Sequence, residues 1–91
     1  NVNSMAQIAA LAALKDRKFL SKTKKVTEKG RRFLYGEFKK MGLRYIPSVT
    51  NFVLFEVGKD AAEVYRRLIK RGVIVRNMKA WGMDTFIRVT V

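Results

Sequence analysis

Asn51-Phe52-Val53-Leu54-Phe55-Glu56-Val57 runs into Gly58, and Asp60 opens a new periodic run immediately afterwards. The stretch is rich in β-branched and aromatic residues, so it reads as a strand that stops at a glycine turn. Asp60 suits a helix N-cap, because its carboxylate can accept from the free N–H groups of a first turn. Residues 61–71 then place Ala61, Val64, Tyr65 and Leu68 at helical spacing, one inner stripe that Gly72 terminates. Val73-Ile74-Val75-Arg76 follows directly and reads as a short strand. Strand, helix and strand in immediate succession make this half of the chain mixed α and β.

Downstream, residues 77–84 lack periodicity and contain Trp81-Gly82, so they read as a loop. Phe86-Ile87-Arg88-Val89-Thr90-Val91 alternates with a period of two, the pattern of a closing strand. Ile87, Val89 and Val91 share an apolar face that belongs against the core. Phe86, Arg88 and Thr90 share the other face, so Arg88 projects from mid-strand away from the core. Upstream, Pro47 and Ser48 mark a break. Before it, Asp16 caps a helix over residues 17–41, ended by Gly42. Phe19, Val26, Phe33, Leu34, Phe38 and Met41 form its apolar stripe, with Thr23 and Gly30 keeping step. Residues 3–14, capped by Asn3 or Ser4, form an Ala-rich helix that is apolar nearly all round. Such a helix belongs between layers, so residues 1–15 read as a buried linking helix with little chain available to cover it. The expected order is helix, helix, strand, helix, strand, strand. This is an α+β fold, a small sheet of about three strands with helices packed on one face.

Composition excludes several function classes. The 91 residues allow one domain, whose core can bury roughly 60–65% of the unfolded surface. A hydrophobic content of 48% excludes intrinsic disorder. Without His, this segment can supply no histidine base, triad member or metal ligand; without Cys, it offers no disulfide, thiolate or cysteine zinc site. The cysteine-free composition fits a reducing compartment. No glycine-rich phosphate loop occurs, and Glu56, Asp60, Glu63 and Asp84 lack metal-binding spacing. The apolar stretch over residues 5–14 is too short to cross a bilayer. No signal-peptide pattern follows Asn1, and the closing strand runs to Val91. The sequence therefore reads as a piece of a longer protein, contributing a share of its function.

Twenty Lys and Arg against seven Asp and Glu give a formal charge of +13. Eleven of those cations stand between residues 15 and 40, against Asp16, Glu28 and Glu37. Clustered cations can bind polyanions through counterion release. Here no aromatic residues interleave the charges to stack bases, and no nucleic-acid-binding signature is present. The cluster reads as a solvated outer face, and no specific nucleic-acid partner is expected. Arg88 is either a surface charge or a fork aimed at a carboxylate or phosphate. Arg76 is either a solvated strand end or an anion contact. Asn51 is either a turn residue or a hydrogen-bonding group in a site.

Several segments, in register, resemble the histidinol-phosphate aminotransferases, a branch of the fold-type I, pyridoxal-phosphate-dependent aminotransferases. Asn1-Val2-Asn3-Ser4, with Gln7 and the Ala-rich helix, resembles the segment after that family's cofactor lysine. Thr50-Asn51-Phe52-Val53-Leu54 resembles its Asn-Phe strand start. Arg71-Gly72-Val73-Ile74-Val75-Arg76 and Phe86-Ile87-Arg88-Val89-Thr90-Val91 resemble two further segments of its small domain. The order and spacing hold over essentially the whole chain. The resemblance implies that residues 1–91 are the C-terminal small domain, with the cofactor domain upstream and a final helix downstream. It implies that pyridoxal phosphate is bound by that upstream domain, and that these residues alone are inactive and hold no catalytic group. The implied substrates are an amino donor and a keto acid, histidinol phosphate and 2-oxoglutarate, in a cytoplasmic homodimer of histidine biosynthesis with no membrane partner. Arg88 then corresponds to the arginine that binds the substrate α-carboxylate. Arg76 corresponds to one near the substrate phosphate, and Asn51 to a residue at the substrate end of the cleft. One departure stands out: Asn77 follows Arg76 where the family usually has Pro. A threonine-phosphate decarboxylase, an aromatic aminotransferase and a free-standing basic nucleic-acid-binding module are the alternatives.

Overall fold

The computed structural model describes all 91 residues. Helices α1 (Ser4–Lys15) and α2 (Arg17–Lys40) lead into strands β1 (Tyr45–Ile46) and β2 (Phe52–Glu56). Then come α3 (Ala61–Ile69), β3 (Arg76–Met78), a 3-10 turn at Lys79–Trp81 and β4 (Met83–Thr90). The caps fall where the sequence puts them. Asn3 Oδ1 accepts from the Ala6 N–H at 2.8 Å, Asp16 Oδ1 from Phe19 at 2.9 Å and Asp60 Oδ1 from Ala62 at 2.9 Å. Each such cap contributes about 1 kcal/mol. The stop of α3 is set by Gly72, whose φ of 77° is one that residues with a Cβ rarely adopt. Its N–H donates to the Ile69 carbonyl at 2.9 Å, and Val73 N–H donates to Leu68 at 3.0 Å, satisfying two orphan carbonyls.

The strands form one antiparallel sheet in the order β1-β2-β4-β3. Helix α3 carries the chain from β2 to β3, and β4 returns to fill the position between them. The register pairs Val53 with Val89 and Phe55 with Ile87, which puts all four on one face. Val53 and Ile87 are 0% exposed there, and burying each stabilises the fold by about 1.5–3 kcal/mol. Phe38 of α2 and Ala61 of α3 complete the cluster from the helix side. Phe38 stacks on Phe55 with ring centroids 4.5 Å apart, and Tyr35 stacks on Tyr45 at 4.5 Å. Both helices cover the same face, so the α+β layout and the inward face of β4 match the reading of the sequence.

Three expectations need correction. The sheet has four strands, because residues 45 and 46 pair with Phe55 and Leu54; two residues carry no periodicity to read. The third strand is displaced, since Val73, Ile74 and Val75 are unpaired and pairing begins at Arg76. Residues 77–84, read as a loop, instead hold the rest of β3, the 3-10 turn and the start of β4. High strand propensity records fit to a half-buried surface, and Ile74 finds none, being 84% exposed. Apart from these three, α1 has no buried residue within this chain. Its apolar surface is uncovered within these 91 residues.

Candidate functional site

Arg76 on β3 and Arg88 on β4 are register partners. Paired residues project from the same face with Cβ atoms about 4.5–5.5 Å apart, and like charges so placed repel. Nothing acidic compensates. The ion pairs of the chain are Arg32–Glu28, Lys40–Glu37, Arg44–Glu56 and Arg67–Glu63, and neither arginine joins one. Both lie over aromatic rings instead, Arg88 at 5.0 Å from the Phe52 centroid and Arg76 at 5.8 Å from that of Trp81. A ring engages the face of a guanidinium and leaves its in-plane N–H edge free. That edge is the one that forks onto a carboxylate or phosphate.

The two arginines open onto one cavity of about 330 Å³. It exists because β3 stops pairing at Arg76 while β4 continues to Thr90. Ile74, Val75, Asn77, Tyr65 and Thr90 complete the lining, which contains no carboxylate and no lysine. Asn77 is half-buried and pairs with Ile87 in the ladder. Two cations and no anion around a concave opening give a positively charged hollow, complementary in charge to a small anion.

Asn51 is not part of this lining. It precedes β2, is exposed, and its carbonyl accepts from the Val91 N–H at 2.8 Å. The structure thus brings Arg76 and Arg88 together and leaves Asn51 outside their cavity. The loop holding Asn51 is gripped by α2. Tyr35 Oη accepts from the Ser48 N–H at 2.7 Å, and Arg31 Nη1 donates to the Thr50 carbonyl at 2.7 Å. Phe52, Trp81, Tyr65 and Thr90 are read from the sequence as strand, loop or stripe residues and not as part of a site. Phe52 becomes visible only through the register that sets it opposite Thr90; no local signal marks it. No cluster of acids offers a metal site, and no helix is long and apolar enough to cross a membrane.

The aminotransferase class I and II family model matches residues 1–91. The chain belongs to that family. Within it, the chain is 52% identical over 91 residues to histidinol-phosphate aminotransferase 2 of Carboxydothermus hydrogenoformans, covering 100% of this chain and 25% of that protein. It is 45% identical over 91 residues to the histidinol-phosphate aminotransferase of Moorella thermoacetica, covering 100% of this chain and 24% of the relative. Among solved structures, the aspartate aminotransferase of Thermotoga maritima superposes with a TM-score of 0.75 at 28% identity, over 98% of this chain and 24% of that one. The chain spans about a quarter of the length of the relatives it matches.

Proposed function

We propose that this chain is the substrate-clamping small domain of a pyridoxal-phosphate-dependent aminotransferase. The enzyme exchanges an amino group between histidinol phosphate and 2-oxoglutarate, giving imidazole acetol phosphate and glutamate, as a cytoplasmic homodimer. The observation that carries this reading is the register pair Arg76–Arg88, each guanidinium backed by a ring, unpaired by any acid and opening on one cavity. The identity to histidinol-phosphate aminotransferases supports the choice of substrate.

The residues present do not fit the cofactor. Every lysine of the chain is exposed, and the cavity is lined by neither a lysine nor an acid. Pyridoxal phosphate, held by the rest of the enzyme, supplies the electron sink for the transfer. These 91 residues alone are therefore inactive. Their part is to bind and orient. Arg88 forks onto the α-carboxylate of glutamate, an interaction of about 1.5–3 kcal/mol. Histidinol phosphate has no α-carboxylate, so its phosphate is the anion offered to Arg76, with Arg88 beside it. One receptor with two guanidiniums thus serves the two half-reactions.

The test is a substrate panel on the full-length enzyme. The expected result is the highest kcat/KM with histidinol phosphate and 2-oxoglutarate, with glutamate formed in equal amount. Decarboxylation of threonine phosphate without glutamate, or preference for an aromatic donor, would replace this reading with its neighbour in the superfamily.

A further inference from the structure

We propose that Phe52 is a positioning residue for Arg88, holding the guanidinium toward the cavity and away from the one acid within its reach on that face. The inference rests on the reading of Arg88 as a carboxylate clamp. The register places Leu54 directly opposite Arg88, with Phe52 and Glu56 as its two diagonal neighbours on β2. Diagonal neighbours lie within reach of long side chains. Arg88 therefore has two places to go. Toward Glu56 it would form an ion pair and spend its fork on the protein's own carboxylate. Toward Phe52 it lies over a ring with its edge free, and it takes this course at 5.0 Å.

Two sets of contacts enforce the choice. Glu56 is occupied: Arg44 Nη2 lies 2.7 Å and Arg44 Nε 2.8 Å from its Oε2, and Thr85 Oγ1 donates to its Oε1 at 3.0 Å. Phe52 is anchored: the loop before it is held at Ser48 by Tyr35 and at Thr50 by Arg31. The direction matters because Thr90, opposite Phe52, lines the cavity together with Arg88. Leaning toward Phe52 carries the fork to the cavity end of β4. Phe52 itself does not line the cavity, so it acts through Arg88 and not by touching a substrate.

The experiment compares Phe52→Leu, Phe52→Tyr, Arg88→Lys and the Phe52→Leu/Arg88→Lys double variant in the full-length enzyme. KM and kcat for glutamate are measured alongside Tm. Phe52→Leu is expected to raise KM for glutamate about two- to fivefold with kcat within about twofold, the range of one exposed cation–π contact. Phe52→Tyr, which keeps the ring, should restore the wild-type KM. In the double variant the Leu change should add nothing to Arg88→Lys. If Arg88→Lys raises KM and Phe52→Leu does not, the positioning role is wrong and the clamp stands. If neither variant changes KM, the clamp reading fails and this inference falls with it. If Phe52→Leu lowers Tm and depresses kcat, and Tyr does not rescue it, Phe52 is a packing residue and the proposal is overturned.

Discussion

The two ends of α2 live in different surroundings although one stripe runs along the whole helix. Phe38, near its C-terminal end, is 4% exposed and stacked on the sheet, whereas Phe19, Val26 and Phe33 are 60%, 61% and 65% exposed. The chain divides accordingly into a body and an arm. All six buried residues lie at Phe38 or beyond, and α1 contributes none. The radius of gyration, 16.6 Å, reflects this shape, since a compact chain of this length would give roughly 12 Å. Helical periodicity shows which face of a helix is apolar and is silent about where along the helix a partner sits. The body closes a core of its own. The arm displays Met5, Ile8, Leu11 and Leu14 at a spacing of three, 58–78% exposed. We propose that this apolar surface is the seam with the remainder of the enzyme.

The largest expected effect falls in the body. Ile87 is 0% exposed and meets Phe55 across the ladder. Ile87→Ala should cost about 2–5 kcal/mol by removing buried methyl groups and leaving a cavity. Denaturant unfolding of the isolated chain measures it. A loss under 1 kcal/mol would mean that the body is no better packed than the arm.

Next comes the functional counterpart on the adjacent residue. Arg88→Lys keeps the charge and loses the planar fork. In the full-length enzyme it should lower kcat/KM for glutamate by about 2–4 kcal/mol, roughly 30- to 1000-fold. The effect should be smaller for histidinol phosphate, and Tm should be unchanged. Ile87 and Arg88 would then separate cleanly, one face of β4 serving stability and the other binding. Wild-type kcat/KM in the variant would reduce Arg88 to a surface charge.

A third, smaller effect concerns the joint between helix and sheet. Tyr35 both stacks on Tyr45 and accepts from the Ser48 N–H at 2.7 Å. Tyr35→Phe keeps the stack and deletes the hydroxyl, so the cost should be about 0.5–1.5 kcal/mol. Thermal melts of both proteins measure it, together with faster amide exchange at Ser48. Unchanged exchange at Ser48 would show that the loop is held without the hydroxyl.

Much of this fold was legible because its signals are local. Asn3, Asp16 and Asp60 cap by geometry that a few neighbouring residues determine, and the alternation of β4 names its own core face. What stayed hidden depends on partners distant in the chain. The strand at residues 45 and 46 is defined only by the residues it pairs with. Val73, Ile74 and Val75 have the composition of a strand, but pairing with β4 begins one residue later, at Arg76. The site divides in the same way. Strand phase was enough to place Arg88 on the non-core face. The register was needed to bring Arg76 beside it, to leave Asn51 outside their cavity, and to put Phe52 beneath the guanidinium.

The smallest effect is expected where sequence alone would predict a large one. Leu11 sits in the middle of an apolar helix, and by composition Leu11→Ala resembles a core deletion. In the isolated chain Leu11 is 58% exposed, so little burial is lost and no cavity forms. Alanine is also the stronger helix former. The expected change is within about 0.5 kcal/mol, far below that for Ile87→Ala. In the full-length enzyme the same substitution should cost about 2–5 kcal/mol, because there the helix would be covered. Urea unfolding of both variants in both contexts measures the four values, with sedimentation to report the association state of the isolated chain. A large loss in the isolated chain would mean that the arm is already packed, against its own body if the chain sediments as a monomer and against a second copy if it does not. Equal, small losses in both contexts would leave α1 uncovered in the enzyme as well, and the seam would have to be sought along Phe19, Val26 and Phe33 instead.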